Sequence, residues 1–293
     1  MIRRLLIAFA AALALGGCKA EVADNSAGTA SPILYRIDDS EGALRGWLFG
    51  TIHALPDGTE WRTETLDEAV EQADLLVVEI AALDDSAALF QTFSDLATSP
   101  GQPDIGMRVP ETARPALFDL IRRAEYRPQD FHAVETWAAA LLLAQSGERG
   151  DSKNGADRAL LDDFDGREIR EFEGAARQLA IFDRLPDKEQ QDLLLAVVAE
   201  DGDRAEDPDR LRKAWLAGDA RTLEDATTQG IMADPELRAA LLVERNLAWS
   251  EQLVRILGEG RKPLVAVGAA HLVGPDGLAV LLEKRGFSLE RIQ

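Results

Sequence analysis

The sequence predicts an α/β fold: a mixed sheet of two related strand–helix halves with a large helical insertion between them. Three observations carry this. Two apolar, β-branched runs, Leu75 to Ile80 (LLVVEI) and Pro263 to Val267 (PLVAV), read as buried strands far apart in the chain. The long middle keeps helical spacing almost throughout. A Gly-x-x-His frame occurs twice, each time directly after a strand-like run: Gly50 to His53 and Gly268 to His271.

The elements follow in order. Ile33 to Ile37 reads as a short strand and Arg45 to Thr51 as a second. Thr63 to Gln72 has helical spacing between polar flanks. After the strand Leu75 to Ile80, a helix is expected over Ser86 to Leu96. Ser99-Pro100-Gly101 and Gln102-Pro103 then break the chain. Helices are expected over Glu111 to Glu125, Phe131 to Gln145 and Asp157 to Phe164, then a strand at Glu168 to Phe172. From Ala175 to about Leu257 the spacing is helical, punctuated at Pro186, Gly202, Pro208, Gly218 and Pro235. The strand Pro263 to Val267, a helix over Gly277 to Lys284 and a strand at Phe287 to Ile292 close the chain.

Composition narrows the function classes. The chain has 293 residues, and its 46% apolar content is enough for a core. It carries 32 Lys and Arg against 52 Asp and Glu, a net charge of −20. Such a surface argues against nucleic acid, which needs clustered cations. An anionic membrane surface is an equally poor partner except through an anchor.

An anchor is expected at the N-terminus. Arg3 and Arg4 precede an apolar run from Leu5 to Leu15, which is too short for a membrane span of about 20 residues. It fits a signal-peptide core. Leu15-Gly16-Gly17-Cys18 reads as a lipobox that would lipidate Cys18. Residues 1–17 are then the lipoprotein signal peptide, 18–31 a flexible tether and 32–293 the folded domain. Cys18 is the only cysteine, which rules out an internal disulfide and any cysteine-based metal site.

The chemistry-bearing residues cluster around the two histidine frames. Glycine is 23 of 293 residues, so two of the three histidines sharing this frame by accident is a rare outcome. A glycine at a strand end permits a sharp turn or the close approach of a ligand. The histidine then projects from the C-terminal sheet edge, where α/β folds bind ligands. Glu79 ends the apolar run LLVV, and a buried carboxylate needs a partner or a metal. Glu173 follows its strand similarly, although a carboxylate at a helix N-terminus reads the same way.

Arg245 and Asn246 fall within the apolar stripe Leu241, Leu242, Trp249, Leu253, Ile256 of a helix expected over Pro235 to Leu257. Both need buried partners. Arg245 suits a carboxylate such as Glu79, or a substrate oxyanion. His132 lies outside any such frame and reads as structural. Two histidines and a carboxylate suit Zn²⁺, Mn²⁺ or Co²⁺. A metal-free alternative uses one histidine as general base, with Glu79 orienting it.

These residues resemble the TraB/PrgY/GumN family. The resemblance runs from about Leu34 to Ile292. It is carried by LFGTIHALPDGTEW (48–61), ADLLVVEI (73–80), GADRALL (155–161), ARQLAIFDRLPDKEQQDLL (176–194), ERNLAW (244–249) and VAVGAAHLVGPDGLAVLLEKRGF (265–287). The family is distantly similar to Tiki proteins, which implies a metal-dependent peptidase centred on His53, Glu79 and His271, supported by Arg245 and Asn246. Its likeness to erythromycin esterases implies a histidine general base without metal. Many relatives read Leu-Glu-Thr where this chain has Phe172-Glu173-Gly174.

The expectation is a lipid-anchored metal-dependent hydrolase, a peptidase acting on a peptide or amide bond of a peptide or protein substrate. Its cofactor would be Mn, Co or Zn. The alternatives are a non-catalytic peptide- or partner-binding lipoprotein, a metal-free esterase-type hydrolase, and a haem- or metal-binding lipoprotein. Export across the inner membrane is expected. Lys19, not aspartate, follows Cys18, so the expected address is the outer membrane, facing the periplasm.

Overall fold

The computed structural model describes residues 30–145, 150–203 and 209–293. The expected signal peptide, the Cys18 lipidation site and all but the last two residues of the tether lie outside the described residues. Among the described residues no helix is long and apolar enough to cross a membrane.

The strands are β1 (Leu34–Asp38), β2 (Leu44–Thr51), β3 (Leu75–Val78), β4 (Glu168–Glu171), β5 (Pro263–Gly268) and β6 (Ser288–Arg291). They form one mixed sheet in the order β4-β3-β5-β2-β1-β6. β4, β3, β5 and β2 are mutually parallel, and β1 and β6 add antiparallel. The parallel centre explains the sequence pattern. β3 is buried at every position and β5 at all but its last, so neither alternates. The edge strands β4 and β6 expose residues and are correspondingly polar.

The helices are α1 (Glu64–Gln72), α2 (Ser86–Ala97), α3 (Arg114–Arg123), α4 (Thr136–Gln145), α5 (Ala156–Asp163), α6 (Gly174–Asp183), α7 (Asp187–Asp203), α8 (Arg210–Ala217), α9 (Ala220–Ala226), α10 (Pro235–Arg238), α11 (Glu244–Gly258) and α12 (Leu278–Glu283). The helical insertion is divided by β4, at the strand expected there. It supplies its own apolar cluster around Trp137, drawn largely from α2, α3, α4, α6 and α7. A second cluster packs on the sheet and contains Trp61, Trp215 and Trp249.

Two expected helices differ in a way that matters. The helix expected from Phe131 starts at Thr136 instead. Arg108 takes the carbonyls of Phe131 (2.8 Å) and Val134 (2.7 Å), and Glu135 N–H donates to Ala97. The helical ladder cannot begin until those groups are passed. His132, expected within that helix as a structural residue, therefore sits on a turn with its side chain 56% exposed, 3.4 Å from Asp104. The helix expected over Pro235 to Leu257 is interrupted by a π-helical turn, Ala239–Val243, between α10 and α11. Such turns insert one extra residue and occur often at functional sites.

Candidate active site

The four parallel strands end at one edge of the sheet. Thr51 pairs with Gly268, and Val78 pairs with both Ala266 and Glu171. His53, Glu79, Glu173 and His271 follow these strand ends by one to three residues. The sheet alone therefore brings together four residues that are up to 218 positions apart in sequence (271 − 53). α11 lowers Arg245, Asn246 and Trp249 onto the same edge, all three buried.

His53 is oriented by a residue the sequence reading did not assign. Its Nδ1 lies 2.7 Å from Asp157 Oδ2. The other Asp157 oxygen accepts from Thr51 Oγ1 at 2.6 Å. Asp157 occupies the first turn of α5, where a carboxylate is favoured by the exposed N–H groups. As acceptor, Asp157 fixes a proton on His53 Nδ1. The metal-free reading expected Glu79 in this orienting role; Asp157 holds it instead.

Arg245 is the hub of the remaining groups. Nη2 donates to Glu79 Oε2 (2.8 Å) and approaches Glu173 Oε2 (3.0 Å). Nε spans both Glu173 oxygens at 3.2 and 3.1 Å. Nη1 donates to the Leu241 carbonyl of the π turn (3.1 Å) and faces His271 Nε2 at 3.3 Å. Its guanidinium lies 4.5 Å from the Trp249 ring centre, and Trp249 Nε1 donates to Glu173 (3.0 Å). The N–H groups of Arg245 all face acceptors within the protein. The role expected for it at a substrate oxyanion does not fit this geometry. Glu173 is a ligand of Arg245 rather than a helix cap: its side chain caps nothing.

Burial alone would push the Glu79 carboxyl up. The adjacent Arg245, then the His271 and His53 rings and the Gly268 N–H on Oε1 (2.8 Å), outweigh it and hold it down at about 2. Asn246 Nδ2 donates to the Asp276 carbonyl (2.8 Å), so its oxygen faces His271 Nδ1 at 2.6 Å. His271 thus carries its proton on Nδ1 and offers the Nε2 lone pair to Arg245. Burial drives the His271 ring down to about 3, against the opposing pull of Glu79, so it is neutral at ordinary pH.

Both shifts are depressions, so both stabilise the fold at higher pH. His271 contributes fully above about 6.5 and its contribution is lost as pH falls through about 3; for Glu79 the window runs from about 4.5 to 2. The melting temperature should fall steadily from pH 6.5 downward. In His271→Gln the fall between pH 6.5 and 4.5 should flatten, because Glu79 does not yet contribute there. Parallel curves for variant and wild type would refute the assignment.

The two frame glycines serve close approach, and neither has a positive φ. A β-carbon at Gly50 would stand 3.1 Å from Ala269 of the second frame. At Gly268 it would stand 3.4 Å from Glu79 Oε1, 3.6 Å from His53 Nε2 and 3.7 Å from His271 Cδ2. These three side chains therefore converge on one point. Gly268→Ala should keep the fold, since those distances are ordinary contacts, yet fill the centre and lower any turnover about 10²-fold. Full turnover in that variant would place the reaction elsewhere.

As arranged, the donor set does not fit a divalent ion. His271 Nε2 and Glu79 both face Arg245, whose charge would oppose an ion between them. Among the described residues no three His, Cys, Asp or Glu side chains are grouped to hold one.

The model of the TraB/PrgY/gumN family matches residues 33–291. The chain belongs to this family. No curated protein and no solved structure matches it. In this family member, His53, Glu79, His271, Arg245, Asn246 and Glu173 lie together at the sheet edge. His132 stays outside. Asp157, Thr51 and Trp249 join them unannounced. GADRALL carried Asp157 as a family segment, but an acidic residue there reads equally as a helix N-terminal carboxylate.

Proposed function

We propose that the protein is a hydrolase of a peptide, amide or ester carbonyl, with His53 as general base. One observation carries this: the Asp157–His53 bond in a centre where the other two candidates are pinned far from neutrality. With Glu79 held at about 2 and His271 at about 3, neither exchanges a proton efficiently near pH 7. His53 is the group left for that work.

In this reading His53 Nε2 takes a proton from water while the water oxygen bonds to the carbonyl carbon. The Asp157 and Glu79 carboxylates stabilise the charge on the ring. Collapse breaks the bond to the leaving group, which takes the proton back from His53. A groove of about 550 Å³ between α6 and α11 reaches Glu173, Arg245 and Trp249. It is large enough for a small ligand or a few residues of a peptide. Attachment through Cys18 to the outer membrane, facing the periplasm, belongs to the same proposal.

A second reading is favoured by the convergence on Gly268: a metal-dependent hydrolase in which His53, Glu79 and His271 hold Mn²⁺, Co²⁺ or Zn²⁺ after Arg245 Nη1 withdraws from His271. No step is derived through such an ion. The test is a peptide and ester panel assayed with and without chelator, for wild type and His53→Ala. Chelator-resistant turnover lost in the variant supports the proton-transfer reading. Turnover abolished by chelator supports the second. Equal turnover in the variant sinks both, and ligand binding retained without turnover leaves a binding protein.

A further inference from the structure

Gln178 lies on α6, five residues beyond Glu173, and is 8% exposed. Its Oε1 is buried and meets no donor among the described residues. A buried amide oxygen without a partner is costly, so its retention asks for a reason. Gln178 lines a small cavity together with His53, Glu79 and Asp157. The apolar remainder of the wall comes from Val78, Ile80 and Leu83. The space is about 10 Å³, room for one water.

We propose that Gln178 is a positioning residue for the attacking water: its amide and the His53 ring hold one water molecule in this cavity. The proposal rests on the hydrolase reading and deepens it. It names the nucleophile as water. The two polar groups serve different ends. His53 receives the proton, while the Gln178 oxygen accepts the second water hydrogen and so directs a lone pair outward. The Glu79 and Asp157 oxygens on the same wall are already engaged, by Arg245 and the Gly268 N–H and by His53 and Thr51.

The test needs no substrate. Crystal structures of wild type and Gln178→Met are compared at a resolution that reveals ordered water. Methionine keeps the length and removes the amide. The expected result is one ordered water within hydrogen-bonding distance of both Gln178 and the His53 ring in wild type, lost in the variant. The variant should melt at the same temperature or higher. The ¹⁵N resonance of the His53 ring should shift between the two proteins, which a purely structural role would not produce. A dry cavity, a metal ion in it, or a water and His53 resonance unchanged in Gln178→Met would overturn the proposal. An ordered water with no turnover across the panel would remove the hydrolase reading, and with it the attacking role of that water, leaving only a bound-water site. Turnover with a dry cavity would remove this proposal alone.

Discussion

Arg245→Met should lower the stability of the fold by about 3–5 kcal/mol, the usual cost of breaking a buried ion pair from one side. Arg245 is 4% exposed and is the only cation on Glu79 and Glu173 among the described residues. Glu79 is 7% exposed, and the loss of its partner leaves a carboxylate stranded in the interior. The methionine would still fill part of the volume and pack on Trp249, so the cost is electrostatic rather than a cavity. In a chain of this size the melting temperature should drop by about 10 °C. Adding Glu79→Gln to Arg245→Met should recover part of the loss, because it removes the stranded charge. A drop of less than about 1 kcal/mol in denaturant unfolding would mean that the cluster is solvated and that its charges are not coupled.

Asp157→Asn should reduce turnover by about 10²–10⁴-fold while leaving stability nearly unchanged. Asparagine keeps the size and can still accept from Thr51. Its amide can turn either way toward His53, so the proton on Nδ1 is no longer enforced. The negative charge beside the ring is lost as well. The measurement is kcat on whichever carbonyl substrate the panel yields, with thermal unfolding as control. A variant with normal kcat would show that the Asp157–His53 bond only fastens α5 to the sheet edge.

Much of the candidate site was legible because its residues break local patterns. Glu79 is a charge ending an apolar strand. Arg245 and Asn246 interrupt an apolar helical stripe. The paired histidines share a glycine frame at strand ends. Asp157 broke no pattern, since an acid in the first turn of a helix is ordinary. Trp249 was hidden for the opposite reason: it continued the apolar stripe and read only as core. Strand existence and the mixed character of the sheet followed from periodicity, but strand order did not, because pairing partners are not encoded in local spacing. The late start of α4 depended on Arg108, a side chain more than twenty residues away whose bonds to two carbonyls no local rule anticipates. The π turn before Arg245 is likewise invisible to a helical template.

The most direct test of the central claim is the metal content and metal affinity of the purified protein, wild type beside His53→Ala and His271→Ala. A centre cross-linked by Arg245 should hold no stoichiometric transition metal, and the three proteins should behave alike on titration with Mn²⁺, Co²⁺ and Zn²⁺. One tightly bound ion per wild-type chain, lost in both variants, would contradict the account and make the convergence on Gly268 a metal site.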